Sequence, residues 1–253
     1  MRDRRPVWAI PEWAVEEIGA ALPPGWEYRV IRGYADGSGD GKALVKEETL
    51  TALPGARVYL GFGIPAEVLR VGRELEWVHS GAAGVGSSLT PEMLESSVAF
   101  TNSAGIHGPP MAETVVGMVL HFARGLDLAV AGKGRGRWED GPFLAEDSPV
   151  REVAGSTAGV VGFGGIGREV ARRLSALGVR ILAVKRRHPA PNEAPPGTEI
   201  LWGEEGLARV VRESDWLILT LPDTPATRGL LGRERLAGMK KGAVLVNVGR
   251  GSL

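Results

Sequence analysis

The sequence predicts an α/β protein with parallel sheets in two lobes. Short apolar runs alternate with helical patterns along the chain, and the alternation restarts after residue 104. A glycine-rich turn at residues 162–167 sits between a strand pattern and a helix pattern.

In the first lobe, residues 1–103, the expected strands are VWAI (7–10), EYRVI (27–31), RVYLG (57–61), EWVHS (76–80) and VAFTN (98–102). Between them, PEWAVEEIGAAL, PAEVLRVGREL and TPEMLESS read as helices, the last with Thr90 as N-cap and Pro91 at the first helical position. The second lobe, residues 104–253, opens with MAETVVGMVLHFARG (111–125), apolar around most of its circumference and so expected to be buried or in an interface. Residues 131–149 read as a polar, glycine-rich loop, and HPAPNEAPPGTE (188–199) as a proline-rich surface loop. The remaining strands are TAGVV (157–161), RILAV (180–184), DWLILTL (215–221) and AVLVNV (243–248). Continuous apolar runs among them are what strands covered on both faces require.

Composition removes several function classes. The 253 residues carry no formal net charge, so no basic field recruits nucleic acid. No cysteine is present, which excludes disulfides, thiolate catalysis and cysteine-type zinc sites, and no metal is expected. The N-terminus is charged and broken by prolines rather than signal-like, and no apolar run reaches membrane-spanning length. The expectation is a cytoplasmic protein with neither nucleic-acid nor membrane partners.

Gly162, Gly164 and Gly167 give G-x-G-x-x-G between a strand and a helix whose apolar stripe is Ile166, Val170, Leu174 and Leu177. The three glycines suit a tight turn, close approach of a pyrophosphate, and close packing of helix on strand, in the manner of a Rossmann dinucleotide site. About twenty residues further on, such a site usually places an Asp or Glu on the ribose hydroxyls of NAD. Here the strand ends in Lys185, Arg186 and Arg187. Cations at this point match a 2′-phosphate, so the expected cofactor is NADP, with NAD possible.

The motifs WVHSGAAGVG (77–86), TNSAGIHGPPMAETVVGMVLHFARGL (101–126), the glycine turn, and LPDTPATRGLLGRERLAGMKKGAVLVNVGRG (221–251) follow in an order that resembles the D-isomer-specific 2-hydroxyacid dehydrogenases. The nearest branch is that of the glyoxylate and hydroxypyruvate reductases. The resemblance implies two Rossmann-like lobes, a flavodoxin-like one for substrate and a dinucleotide-binding one for cofactor. It implies reduction of a small 2-oxo acid to the D-2-hydroxy acid. Gly165 and Ile166 would present backbone to the pyrophosphate, Leu221 and Pro222 would lie under the adenosine side, and Thr227 would be a further cofactor contact. Val248 and Gly249 would approach the nicotinamide, and Arg250 matches the catalytic arginine. Ala83, Gly84 and Val85 match the loop whose N–H groups hold the substrate carboxylate, although Gly86 stands where the family often has Asp.

The family's His and Glu acid pair lies beyond N-x-x-R-G, and the chain stops two residues after Gly251. It therefore reads as a C-terminally truncated reductase, near-inactive as written, with an incomplete cofactor lobe. None of His79, His107, His121 or His188 is a good substitute acid, His79 being the first to consider. Competing readings are a non-catalytic NADP-binding or corepressor-like relative, and a phosphoglycerate dehydrogenase, which Lys185 disfavours. A homodimer through helix 111–125 is expected.

Overall fold

The computed structural model describes residues 10–32, 45–190 and 194–253. The chain divides between Ile106 and His107 into two compact units.

The first unit contains α1 (Glu12–Ala21), α2 (Glu47–Ala52), β1 (Val58–Gly61), α3 (Ala66–Val71), β2 (Trp77–Ser80), α4 (Pro91–Glu95) and β3 (Ala99–Asn102). The strands form a parallel sheet in the order β1-β2-β3. Its core is Leu53, Ile64, Val68, Leu75, Val78 and Met93, packed against Tyr59 and Phe100. Thr90 caps α4 as the sequence predicts, its Oγ1 accepting from the Met93 N–H at 3.3 Å. The expected strand at 27–31 does not form. Tyr28 and Val30 are exposed, and among the described residues the stretch has no ladder partner; alternation alone does not hold a strand. Most of the strand expected at 7–10 lies outside the described residues.

The second unit runs through α5 (Gly108–Ala123), α6 (Leu126–Gly134), α7 (Gly141–Leu144), β4 (Thr157–Val161), α8 (Gly165–Ser175), β5 (Arg180–Lys185) and β6 (Thr198–Trp202). It ends with α9 (Gly203–Glu213), β7 (Trp216–Leu219), α10 (Arg233–Ala237) and β8 (Val244–Asn247). The sheet is parallel, in the order β6-β5-β4-β7-β8. The chain starts at the centre, winds outward to β6, then crosses to β7 and β8. That reversal beside β4 is the switch point of a doubly wound sheet, where the carboxyl ends of the strands leave a crevice.

Both faces of this sheet are covered, as the continuous apolar strands require. One core joins α5 and α8 to the sheet through Val115, Val119, Val170 and Leu174; the other joins α9 through Leu207, Val210 and Val211. Gly159, in mid-β4, is glycine because a Cβ would lie 2.7 Å from Val210 Cγ1 of α9.

Two further expectations are corrected here. The loop expected over 131–149 contains the end of α6 and all of α7. The surface loop expected over 188–199 gives way at Thr198 to β6, which had no strand signal beyond its short apolar pair Ile200 and Leu201. Helix α5 buries Gly108, Ala112, Val115, Val119 and Ala123 along one face, while Met118 and Phe122 remain exposed on another. Among the described residues no single helix is long and apolar enough to cross a membrane.

Asp215 ties together the starts of three strands. Its Oδ2 accepts the Thr157 N–H at 2.8 Å and its Oδ1 accepts from Lys240 Nζ at 3.0 Å, while its backbone carbonyl accepts the Val244 N–H. Burial pushes this carboxyl up, but the Thr157 N–H and Lys240 together hold it below its ordinary value. A depressed carboxyl stabilises the fold above its unfolded value, and the contribution disappears as pH falls through the folded value. Asp215→Asn should therefore cost about 1–2 kcal/mol at neutral pH. The gap should close below about pH 4. Urea midpoints of the two proteins across that range check this, and a gap independent of pH would show that the charge contributes nothing.

Candidate dinucleotide and substrate sites

The glycine turn leaves β4 at Gly162, whose φ of 100° only glycine adopts easily. A Cβ there would also meet Leu221 Cδ2 at 2.9 Å and Thr220 Oγ1 at 3.0 Å. Thr220 Oγ1 donates to the Gly162 carbonyl at 2.7 Å, so the ends of β4 and β7 are bonded side by side. Gly167 faces the opposite way: a Cβ on it would overlap the Gly162 carbonyl oxygen. Its role is close packing of α8 on the turn.

Gly164 differs from both. It is exposed, and a Cβ there would meet no protein atom within 4 Å. The protein itself thus gives no steric reason for a glycine at that position. An outside group approaching the backbone would supply one.

Gly164 is also the N-cap of α8 and offers no side chain to the first turn. The first helical N–H bonded back along this turn is that of Arg168, to Gly164 O at 3.0 Å. The N–H groups of Gly165, Ile166 and Gly167 point out of the helix start, an arrangement that binds anionic oxygen. The Arg168 guanidinium lies 4.8 Å from the centroid of the Phe163 ring within the turn.

The remaining positions expected from sequence in this unit gather at the same sheet end. The Gly162 N–H donates to Val184 O at 2.9 Å, which places the turn beside the end of β5 and the Lys185–Arg187 triplet. Lys185 is half-buried, and Arg186 and Arg187 are exposed. Leu221 and Pro222 follow β7, and the Val248 N–H is bonded to Leu219 O at 3.1 Å. Gly249 follows at close quarters: a Cβ on it would come within 2.6 Å of Leu221 O. Arg250 is exposed, with Nη1 donating to Gly249 O at 3.0 Å, and it helps hold the Asp223 carboxyl below its ordinary value, after the larger effect of Arg228.

Thr227 belongs to the same loop. Its hydroxyl bonds Pro222 O at 2.7 Å and accepts the Thr224 N–H at 2.9 Å, so it staples the loop after β7. That shapes the site whether or not the hydroxyl meets a cofactor.

In the first unit, Ala83, Gly84 and Val85 lie in the loop after β2. Asn102 Nδ2 donates to Ala83 O at 2.8 Å, and Val85 O accepts the N–H groups of Ser88 and Leu89. The loop is thus held by its carbonyls, an arrangement suited to presenting N–H groups to a carboxylate. His79 is committed on both edges, with Nδ1 at 2.8 Å from Thr101 Oγ1 and Nε2 at 3.3 Å from Ser103 Oγ. A ring engaged at both nitrogens is poorly placed to pass a proton to a ligand.

Sheet order, switch point and glycine turn together define a dinucleotide-binding α/β unit of the Rossmann type. Residues 116–253 match the NAD binding domain of the D-isomer specific 2-hydroxyacid dehydrogenases, more than half of the chain. The chain belongs to that family. It is 29% identical over 211 residues to a hydroxypyruvate reductase of Thermotoga maritima, covering 82% of this chain and 65% of the relative. It is 30% identical over 213 residues to a D-3-phosphoglycerate dehydrogenase of Methanocaldococcus jannaschii, covering 83% and 39%. A solved family member from Klebsiella pneumoniae superposes with a TM-score of 0.65 at 29% identity, over 80% of this chain and 61% of that one. The chain thus spans less than two thirds of the length of these relatives.

Proposed function

We propose that this chain binds NADP and serves the reduction of a small 2-oxo acid of the glyoxylate or hydroxypyruvate type to its D-2-hydroxy acid. The observation that carries the reading is the pairing of an exposed glycine, Gly164, at the start of α8 with the Lys185–Arg187 triplet at the adjoining strand end. Gly162, Gly164, Gly165, Ile166 and Gly167 would hold the pyrophosphate, and Leu221, Pro222, Thr227, Val248 and Gly249 would line the rest of the cofactor's path. When bound, the cofactor supplies a hydride. In the first unit the N–H groups of Ala83, Gly84 and Val85 would suit a substrate carboxylate, and in the second the Arg250 fork would suit a carbonyl oxygen. A planar guanidinium can span two oxygens and meet negative charge as it grows on the carbonyl oxygen. A homodimer through the exposed residues of α5, Met118 and Phe122, and a cytoplasmic setting complete the reading.

The test is a panel of glyoxylate, hydroxypyruvate and the oxo acid of 3-phosphoglycerate, each with NADPH and NADH. Turnover confined to the phosphorylated substrate would turn the reading to phosphoglycerate dehydrogenase. Arg250→Lys keeps the charge but loses the fork. In a catalytically complete form of the enzyme it should lower turnover about a hundredfold while NADPH affinity holds. Unchanged turnover would remove Arg250 from the substrate's oxygens.

A further inference from the structure

We propose that His188, held against Trp202, is a further ligand for the adenosine 2′-phosphate, and that this ring pair strengthens the preference for phosphorylated adenosine beyond what the three cations provide. The inference rests on the NADP reading above and adds two specificity residues to it.

Sheet register builds the pair. β5 and β6 run parallel with Lys185 opposite Trp202, so the chain leaving β5 passes the end of β6. Three residues after Lys185, the His188 ring lies with its centroid 4.2 Å from that of Trp202, at an interplanar angle of 53°. Trp202 nonetheless keeps 47% of its surface exposed. A tryptophan that stays this exposed at a strand end adds little to the core, but it does restrict the imidazole beside it. A ligand that would otherwise have to freeze the His188 side chain meets one already ordered.

The hydrogen bonding then says which edge is offered. His188 Nδ1 lies 2.9 Å from the Pro189 carbonyl oxygen. A carbonyl only accepts, so Nδ1 carries the hydrogen and donates it. Nε2 is the edge left for a ligand, and a phosphate oxygen arriving there favours a proton on it, giving a charge-assisted bond. The same strand end carries Lys185, Arg186 and Arg187, and the Gly162 N–H joins it to the glycine turn through Val184 O. A nucleotide with its pyrophosphate on that turn would bring its adenosine ribose toward this end of β5, as in other folds of this type. His188 contributes the contact and Trp202 positions it.

The test uses two ligands that differ only at the 2′ position, adenosine 2′,5′-bisphosphate and adenosine 5′-monophosphate, titrated calorimetrically. The unmodified chain should prefer the bisphosphate. His188→Ala should weaken the bisphosphate about tenfold and leave the monophosphate unchanged. Trp202→Ala should do the same, and Trp202→Phe, which keeps an aromatic wall, should restore most of the preference. If the unmodified chain shows no preference, the NADP reading fails and takes this inference with it. If the preference exists but survives His188→Ala, or if both nucleotides weaken equally, only the role of the ring pair is overturned. Should Trp202→Ala fail to fold, His188→Ala and Trp202→Phe still decide.

Discussion

Gly164→Ala is expected to fold normally and to lose cofactor binding, whereas Gly167→Ala is expected to lose both. The two glycines are three residues apart in one motif, yet their surroundings are opposite. A Cβ on Gly164 meets no protein atom within 4 Å, and the residue's φ of −90° is open to any side chain. The cost to the fold is the small change from a glycine to an alanine N-cap, about 1 kcal/mol. On the proposed reading the methyl group would stand where the pyrophosphate approaches the backbone, so NADPH affinity should fall at least about tenfold. On Gly167 the methyl group would overlap the Gly162 carbonyl oxygen and lie 3.2 Å from Val160 Cγ1. Neither backbone nor a buried strand residue can swing aside, so α8 must lift from the sheet. Overpacking of this kind costs about 3 kcal/mol or more. Urea unfolding and NADPH titration of both variants check this. Normal NADPH affinity in a folded Gly164→Ala protein would show that no ligand backbone contact is made there.

How far the sequence could be read depends on whether the physics is local. The glycine turn was legible because its three glycines fall within six residues, between a strand pattern and a helix pattern. Thr90 was legible for the same reason, a cap being a bond between a residue and the third one after it. The parallel strands β4 and β7 were legible because burial on both faces leaves an apolar run. Strand β6 was not, since it is defined by its register on β5, with Lys185 opposite Trp202, and its own five residues begin just after a proline-rich stretch. The stretch 27–31 failed in the opposite sense: it alternates like a strand but has no partner among the described residues. In α6 the glycines misled. Gly132 reads as a loop residue, but a Cβ there would come within 3.2 Å of Arg137 O, so this glycine allows close approach inside a helix–loop corner. At the site, residue types could be named from sequence. That His79 is bonded on both edges and that His188 meets Trp202 are non-local facts, while the bonds of Thr227 to Pro222 and Thr224 are short-range but depend on how the loop after β7 folds.

Lys185→Asp combined with Arg186→Ala is expected to reverse or erase the proposed preference for NADPH, a change of about a hundredfold or more in the ratio of the two affinities. The argument starts from charge. A 2′-phosphate presents acceptor oxygens and close to two negative charges at neutral pH. Each hydrogen bond to such a group is worth about 1.5–3 kcal/mol, so losing two of them accounts for a hundredfold. Placing a carboxylate at position 185 also repels the phosphate while offering the ribose hydroxyls of NADH the acceptor that NAD-type sites normally provide. The effect on folding should be small, because Arg186 is exposed and Lys185 ends β5 half-buried rather than sealed within it. NADPH and NADH titrations of both proteins, read beside their unfolding curves, separate recognition from stability. High salt sharpens the experiment, since a preference made of exposed cations is screened within about 10 Å at moderate ionic strength, and the NADPH advantage of the unmodified chain should shrink while NADH binding changes little. Equal affinity for the two cofactors in the unmodified protein, at low salt, would sink the assignment of these cations to a phosphate and leave them as a solvated strand end.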